Sequence, residues 1–111
     1  MSSTTVDFDW DPKKARSNLE KHGVSFRLAA SVFRDPLALT IFDDDHSERE
    51  ERWVTLGRAE SEQTLLVVHT LRWIEPTGVK VRIISARKAN QDEVRDYEHA
   101  PRQRLTVKVT Q

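Results

Sequence analysis

The sequence predicts a single α+β domain over residues 1–111, with an antiparallel sheet of four to five strands, two helices before most of it and one after it. Three observations predict this. Apolar residues recur at helical spacing in two early segments and one late segment, and at strand spacing in four segments between. Polar or Pro/Gly-containing turns separate the later strands, as antiparallel hairpins require. The length, 111 residues, suits one domain and is short for two.

The elements follow in order. Val6, Phe8 and Trp10 alternate with Asp7 and Asp9, the period of a half-buried strand. Asp11-Pro12 opens a helix, because Asp caps well and Pro suits the first helical position. Ala15, Leu19 and His22 share one face of it, and Gly23 provides the C-cap. Ser25 caps a second helix with the stripe Phe26, Ala29, Ala30 and Phe33, stopped at Asp35-Pro36. Strands are expected at Leu37–Phe42, Arg52–Arg58, Thr64–Leu71 and Val79–Ala86, the third being nearly all apolar and so central. Asn90 and Glu93 resemble a capping box for a last helix, with Val94 and Tyr97 as its apolar contacts and Pro101 as its end. Arg104–Thr110 alternates like one more short strand.

Composition excludes several classes. No run of about 18 apolar residues exists, so no membrane span is expected. Met1–Thr5 lacks the basic start and apolar middle of a signal peptide. The absence of cysteine rules out disulfides and thiolate zinc sites and fits a reducing cytoplasm, where the protein is expected to reside. Lys plus Arg equals Asp plus Glu at 18 each, which argues against a uniformly basic nucleic-acid binder. The charges are segregated, however. Asp43–Glu51 holds six acids in nine residues, while the later strands carry Arg58, Arg72, Lys80, Arg82, Arg87 and Lys88. An acidic loop can cancel a basic face in the sum without cancelling it in space.

The ordered motifs resemble one family. Trp10-Asp11-Pro12 with Asn18, then Lys21-His22-Gly23-Val24 and Phe26, is similar to the opening of BrnT-type toxins. The likeness continues through Val32-Phe33, Asp35-Pro36-Leu37, Asp45-His46-Ser47, Glu51-Arg52 and Gly57-Arg58. It closes with Leu66-Val67-Val68, Thr70, Arg72, the run Arg82-Ile83-Ile84-Ser85-Ala86-Arg87, Glu93 and Tyr97-Glu98. The resemblance covers residues 7–98 and leaves 99–111 as an extension; Trp73–Thr77 is an insert outside the pattern. It implies a RelE-like fold and an endoribonuclease toxin that inhibits translation and needs no cofactor. It also implies a BrnA-like antitoxin with a ribbon-helix-helix DNA-binding domain, in a heterotetramer that reaches DNA only through the antitoxin.

That activity sets three jobs. A base takes the proton of the RNA 2′-hydroxyl, cations steady the phosphoryl oxygens, and an acid protonates the leaving 5′-oxygen. Arginine grips two phosphate oxygens and stays charged, and histidine titrates near neutrality. With the resemblance, His22, Lys21, Arg72 and Arg82 become the candidate catalytic residues. Arg52, Thr70, Ser85, Arg87 and His46 become candidate RNA contacts. The expected site is a metal-free arginine–histidine cluster between the first helix and the sheet. Strict alternation puts Lys80, Arg82 and Ile84 on one face and Val81, Ile83, Ser85 and Arg87 on the other, so Arg82 and Arg87 need not share a site unless the backbone past the expected strand end turns Arg87 back. Plainer roles stay open: His22 as a helix cap, each arginine as a surface ion pair, Thr70 and Ser85 as backbone partners, and His69 as a satisfied core group. Two other functions stay open as well: a binding module that cleaves nothing, and a metal-dependent hydrolase built on Asp43, Asp45 and His46.

Overall fold

A computed structural model describes residues 5–44, 50–74 and 76–100. Five strands form one sheet in the order β1-β5-β4-β3-β2. They are β1 (Thr5–Asp9), β2 (Leu39–Phe42), β3 (Trp53–Arg58), β4 (Thr64–Ile74) and β5 (Gly78–Lys88). Three helices accompany them: α1 (Pro12–His22), α2 (Phe26–Ala30) and α3 (Gln91–Glu98). The fold is α+β, as expected. Among the described residues no helix is long and apolar enough to cross a membrane. The strand expected at Arg104–Thr110 lies outside the described residues.

Local chemistry sets the helix ends. Asp11 accepts a hydrogen bond from Lys13 N–H at 2.9 Å, and Pro12 follows at the first position. Gly23 ends α1 in the left-handed region, φ 68°, and donates its N–H to the Leu19 carbonyl. Ser25 Oγ accepts from Leu28 N–H, but α2 keeps α geometry for only five residues and tightens to a 3-10 turn at Ser31–Arg34. The Asn90–Glu93 capping box forms in full and starts α3.

The sheet departs from expectation in two ways. It is mixed, not wholly antiparallel, because β1 joins β5 in parallel with Asp9 opposite Arg82. A parallel pair needs a long crossover, here the whole chain from α1 to β4, and no hairpin signal marks so distant a partner. The β4–β5 hairpin is also longer than expected. Its ladder runs to Ile74 opposite Gly78, so the Trp73–Thr77 insert is the hairpin tip.

One face of the sheet carries the helices. Val24, Phe26, Ala29 and Val32 pack with Leu65, Val67, Val81, Ile83 and Ala86 in the buried core. Gly57 allows the close approach there, since a Cβ on it would stand 2.8 Å from Val32 Cγ1. The side chains that alternate with Val67, Val81 and Ile83 point to the other, open face.

Candidate active site

The open face is assembled by a β-bulge. Val68 pairs with Ser85, but the next residue, His69, pairs with Ile83, so Ile84 is an extra residue in β5. The extra residue inverts the alternation. Ser85 and Arg87, opposite Val68 and Leu66, therefore face the same side as Arg82 and Lys80, opposite Thr70 and Arg72. Regular alternation would point Arg82 and Arg87 apart, and the turn-back expected past the strand end is not needed, since β5 runs on to Lys88; a single unpaired residue, invisible to strict period-2 reading, brings them together.

Two adjoining clefts lie on this face. The first, about 470 Å³, is lined by Asp9, Glu50, Glu51, Thr70, Arg72, Lys80 and Arg82 among others. The second, about 400 Å³, is lined by Asp43, Arg52, Val54, Ser85 and Arg87 among others. Among the nine site residues named from the sequence, Arg52, Arg72, Arg82, Arg87, Thr70 and Ser85 thus share one surface. His46 lies outside the described residues.

The cations are held differently. Glu93 grips Arg87 through both terminal nitrogens, Nη1 and Nη2, each at 2.8 Å. That pairing raises the guanidinium pKa above its ordinary value and holds Glu93 below its own, against the opposing effect of burial in each case. Arg82 Nη1 stands 3.1 Å from Asp9 Oδ1 with no aligned hydrogen bond to it, and Lys80 stands 3.7 Å from the other Asp9 oxygen. Arg72 is exposed and has no ion-pair partner among the described residues. Ion pairing was the plainer reading for each arginine, and it holds for Arg82 and Arg87.

The histidines part company. His69 is fully buried on β4. Its Nδ1 donates to the Thr70 carbonyl at 3.0 Å, which leaves Nε2 to accept from the Thr55 hydroxyl at 2.7 Å; Thr55 in turn meets Thr40 at 2.8 Å. Phe33 stands edge-on to its ring, and burial lowers the His69 pKa. It is a satisfied core group. His22 and Lys21 are exposed in the last turn of α1, a helix on the core side of the sheet. The structure does not bring them to the open face, and the α1–sheet interface is closed by core side chains and by Asn18.

Two residues of this surface escaped the sequence reading. Asp9 showed only as the polar half of an alternating strand, since its partner strand is 73 residues away. Glu93 showed as half of a capping box, and its grip on Arg87 needed the bulge to be visible.

The family model described as ribonuclease toxin, BrnT, of type II toxin–antitoxin system matches residues 10–93. The 1.1 Å crystal structure of the Brucella abortus ribonuclease toxin BrnT is similar in fold, with a TM-score of 0.51 and 18% identity, over 81% of this chain and 100% of that one. No curated protein sequence matches the chain significantly. The family match spans most of the chain and includes the strands that build the open face, and by it the protein belongs to the BrnT family of ribonuclease toxins of type II toxin–antitoxin systems.

Proposed function

We propose that the protein is an endoribonuclease that works without metal, and that it seats the scissile RNA phosphate on the open face between Arg72 and Arg82. The observation that carries this reading is the bulge at Ile84, which gathers Arg72, Lys80, Arg82, Thr70, Ser85 and Arg87 on one surface next to Arg52, open among the described residues. The phosphorane-like transition state gains negative charge on its equatorial oxygens, and fixed guanidinium groups stabilise it more than the ground state. The RNA 2′-oxygen attacks phosphorus, its proton passes to a base, and the 5′-oxygen departs with a proton from an acid. Thr70 and Ser85, which line the same clefts, donate their hydroxyls to phosphoryl oxygens in this reading. Arg52 and Arg87 extend the cationic track along the strand, Arg87 from its pairing with Glu93. His22 and Lys21, on the other layer, have no part at this phosphate.

The same surface explains inhibition. A BrnA-like antitoxin with an acidic or closely fitting segment would cover the cations, and charge complementarity would speed and orient that encounter. Its ribbon-helix-helix domain would then connect a heterotetramer of toxin and antitoxin to DNA.

The test is cleavage of a defined RNA by purified protein in excess chelator. A metal-free site keeps cutting under those conditions, and loss of cutting that returns with added metal would refute metal independence. Arg82→Ala is expected to lower kcat/KM by about 100-fold or more while the fold survives, because it removes a charge-assisted contact to the transition state. Undiminished activity would remove Arg82 from the site. Toxicity of the chain expressed alone, relieved by its antitoxin, tests the cellular role.

A further inference from the structure

The geometry points to Asp9 as a positioning residue that fixes the Arg82 guanidinium, with Lys80 beside it, in the orientation that receives the RNA phosphate. This inference rests on the proposed ribonuclease activity and assigns a role to a strand that otherwise only closes the sheet edge.

Four observations carry it. Asp9 sits opposite Arg82 in the β1–β5 ladder, and its neighbour Phe8, opposite Val81, packs against the core, so Asp9 points to the open face. Asp9 Oδ1 is shielded from solvent, and no hydrogen-bond donor is aligned on it among the described residues. The charge of Arg82, 3.1 Å away, is what balances that oxygen. A dehydrated carboxylate oxygen is costly without a counter-charge, so Asp9 retains Arg82 when a second anion arrives. Finally, the contact is a charge pair with no aligned hydrogen bond among the described residues. Arg82 thus keeps its N–H groups for phosphate, whereas the two-pronged grip of Glu93 occupies both terminal nitrogens of Arg87.

The backbone under Asp9 is fixed as well. Trp10 stands edge-on to Phe26 in the core at 5.9 Å, and Asp11 caps α1. Asp9 is therefore a rigid post from which a long, flexible arginine is held. Holding it in advance removes rotamer freedom that phosphate binding would otherwise have to quench.

The experiment compares steady-state RNA cleavage by wild type, Asp9→Asn, Asp9→Glu, Asp7→Asn, Arg82→Lys and the Asp9→Asn/Arg82→Lys pair. Asp9→Asn is expected to lower kcat about tenfold while KM stays level or falls, because misplacement of a catalytic group costs rate and removal of a negative charge attracts RNA. Asp9→Glu recovers part of the rate. Asp7→Asn, the same charge change on the same face opposite Lys80, leaves kcat unchanged. In the Arg82→Lys background, Asp9→Asn adds little, since the two act through one contact. An unchanged or raised kcat in Asp9→Asn would overturn the role, as would an equal loss in Asp7→Asn or full additivity with Arg82→Lys. A wild type that leaves RNA intact would instead overturn the ribonuclease reading itself.

Discussion

Asn18 offers the sharpest test of how this fold is held. Its side chain is buried and makes three hydrogen bonds: Nδ2 donates to the carbonyls of Val24 at 2.9 Å and Ala86 at 2.8 Å, and Oδ1 accepts from Ala86 N–H at 3.0 Å. β1 ends opposite Arg82, so the β5 edge beyond it has lost its neighbour. The Asn18 amide continues the ladder at Ala86, presenting one donor and one acceptor as a strand would. It also ties the α1–α2 turn to β5 two residues after the bulge that assembles the open face. Asn18→Ala would strand three buried backbone groups. At about 1 kcal/mol each, the low end for an unsatisfied buried group, the loss is about 3 kcal/mol. With an m-value of about 1.5 kcal/mol/M, the urea midpoint falls by about 2 M. Tryptophan fluorescence reads the transition, since Trp10 packs on Phe26 close to this turn. Ser17→Ala, an exposed neighbour, is the control and shifts the midpoint little. A shift below about 0.5 M for Asn18→Ala at constant m would refute the reasoning, because water would then be satisfying the same groups.

Other expectations follow from the same geometry. Burial lowers the His69 pKa from 6.5, so below pH 6.5 the unfolded chain binds a proton that the folded chain refuses. Stability therefore falls as pH drops below 6.5, by at most about 1.4 kcal/mol per pH unit from this group, and a urea midpoint flat between pH 7.5 and 5 would contradict it. Burial pushes Asp35 up, but the Tyr97 hydroxyl, the N–H groups of Arg58 and Leu37 and the Arg58 charge outweigh it and hold the carboxyl below 3.8. Glu93 is held below 4.5 by Arg87 despite burial. Both contributions are complete above those ordinary values and are lost as pH falls through the lowered ones, so acid unfolding should show a second, steeper loss below about pH 4. Tyr97→Phe removes the hydroxyl that Asp35 accepts and is expected to cost about 1 kcal/mol, a fall of about 5 °C in Tm by thermal melt; an unchanged Tm would show that α3 docks by its apolar contacts alone. His22→Ala is expected to cleave RNA within about twofold of wild type, and a tenfold loss would return the catalytic centre to the helix layer.

Local chemistry made much of the architecture legible. The caps at Asp11, Ser25 and Asn90, the left-handed glycine at 23 and the polar turn between β3 and β4 act within a few residues of chain, so they can be read from neighbours alone. Most of the candidate site was legible too, as a set of arginines and hydroxyls on late strands. Their arrangement was not. His22 shares a motif with the rest and ends on another layer.

By itself, then, the sequence determined the order and kind of the helices and strands, the caps that open the helices, and which cations and hydroxyls the late strands would carry; the exact ends of β2, β4, β5 and α2 were not among them. Tertiary structure decided three things: that β1 lies parallel beside β5, that Ile84 bulges, and that Asp9 thereby meets Arg82 and Lys80 on the surface shared with Arg72 and Arg87. The reason is physical. Caps and turns are satisfied by near neighbours, whereas strand pairing and register are chosen by burial against distant partners, and one extra residue in a strand reverses which face every later side chain takes.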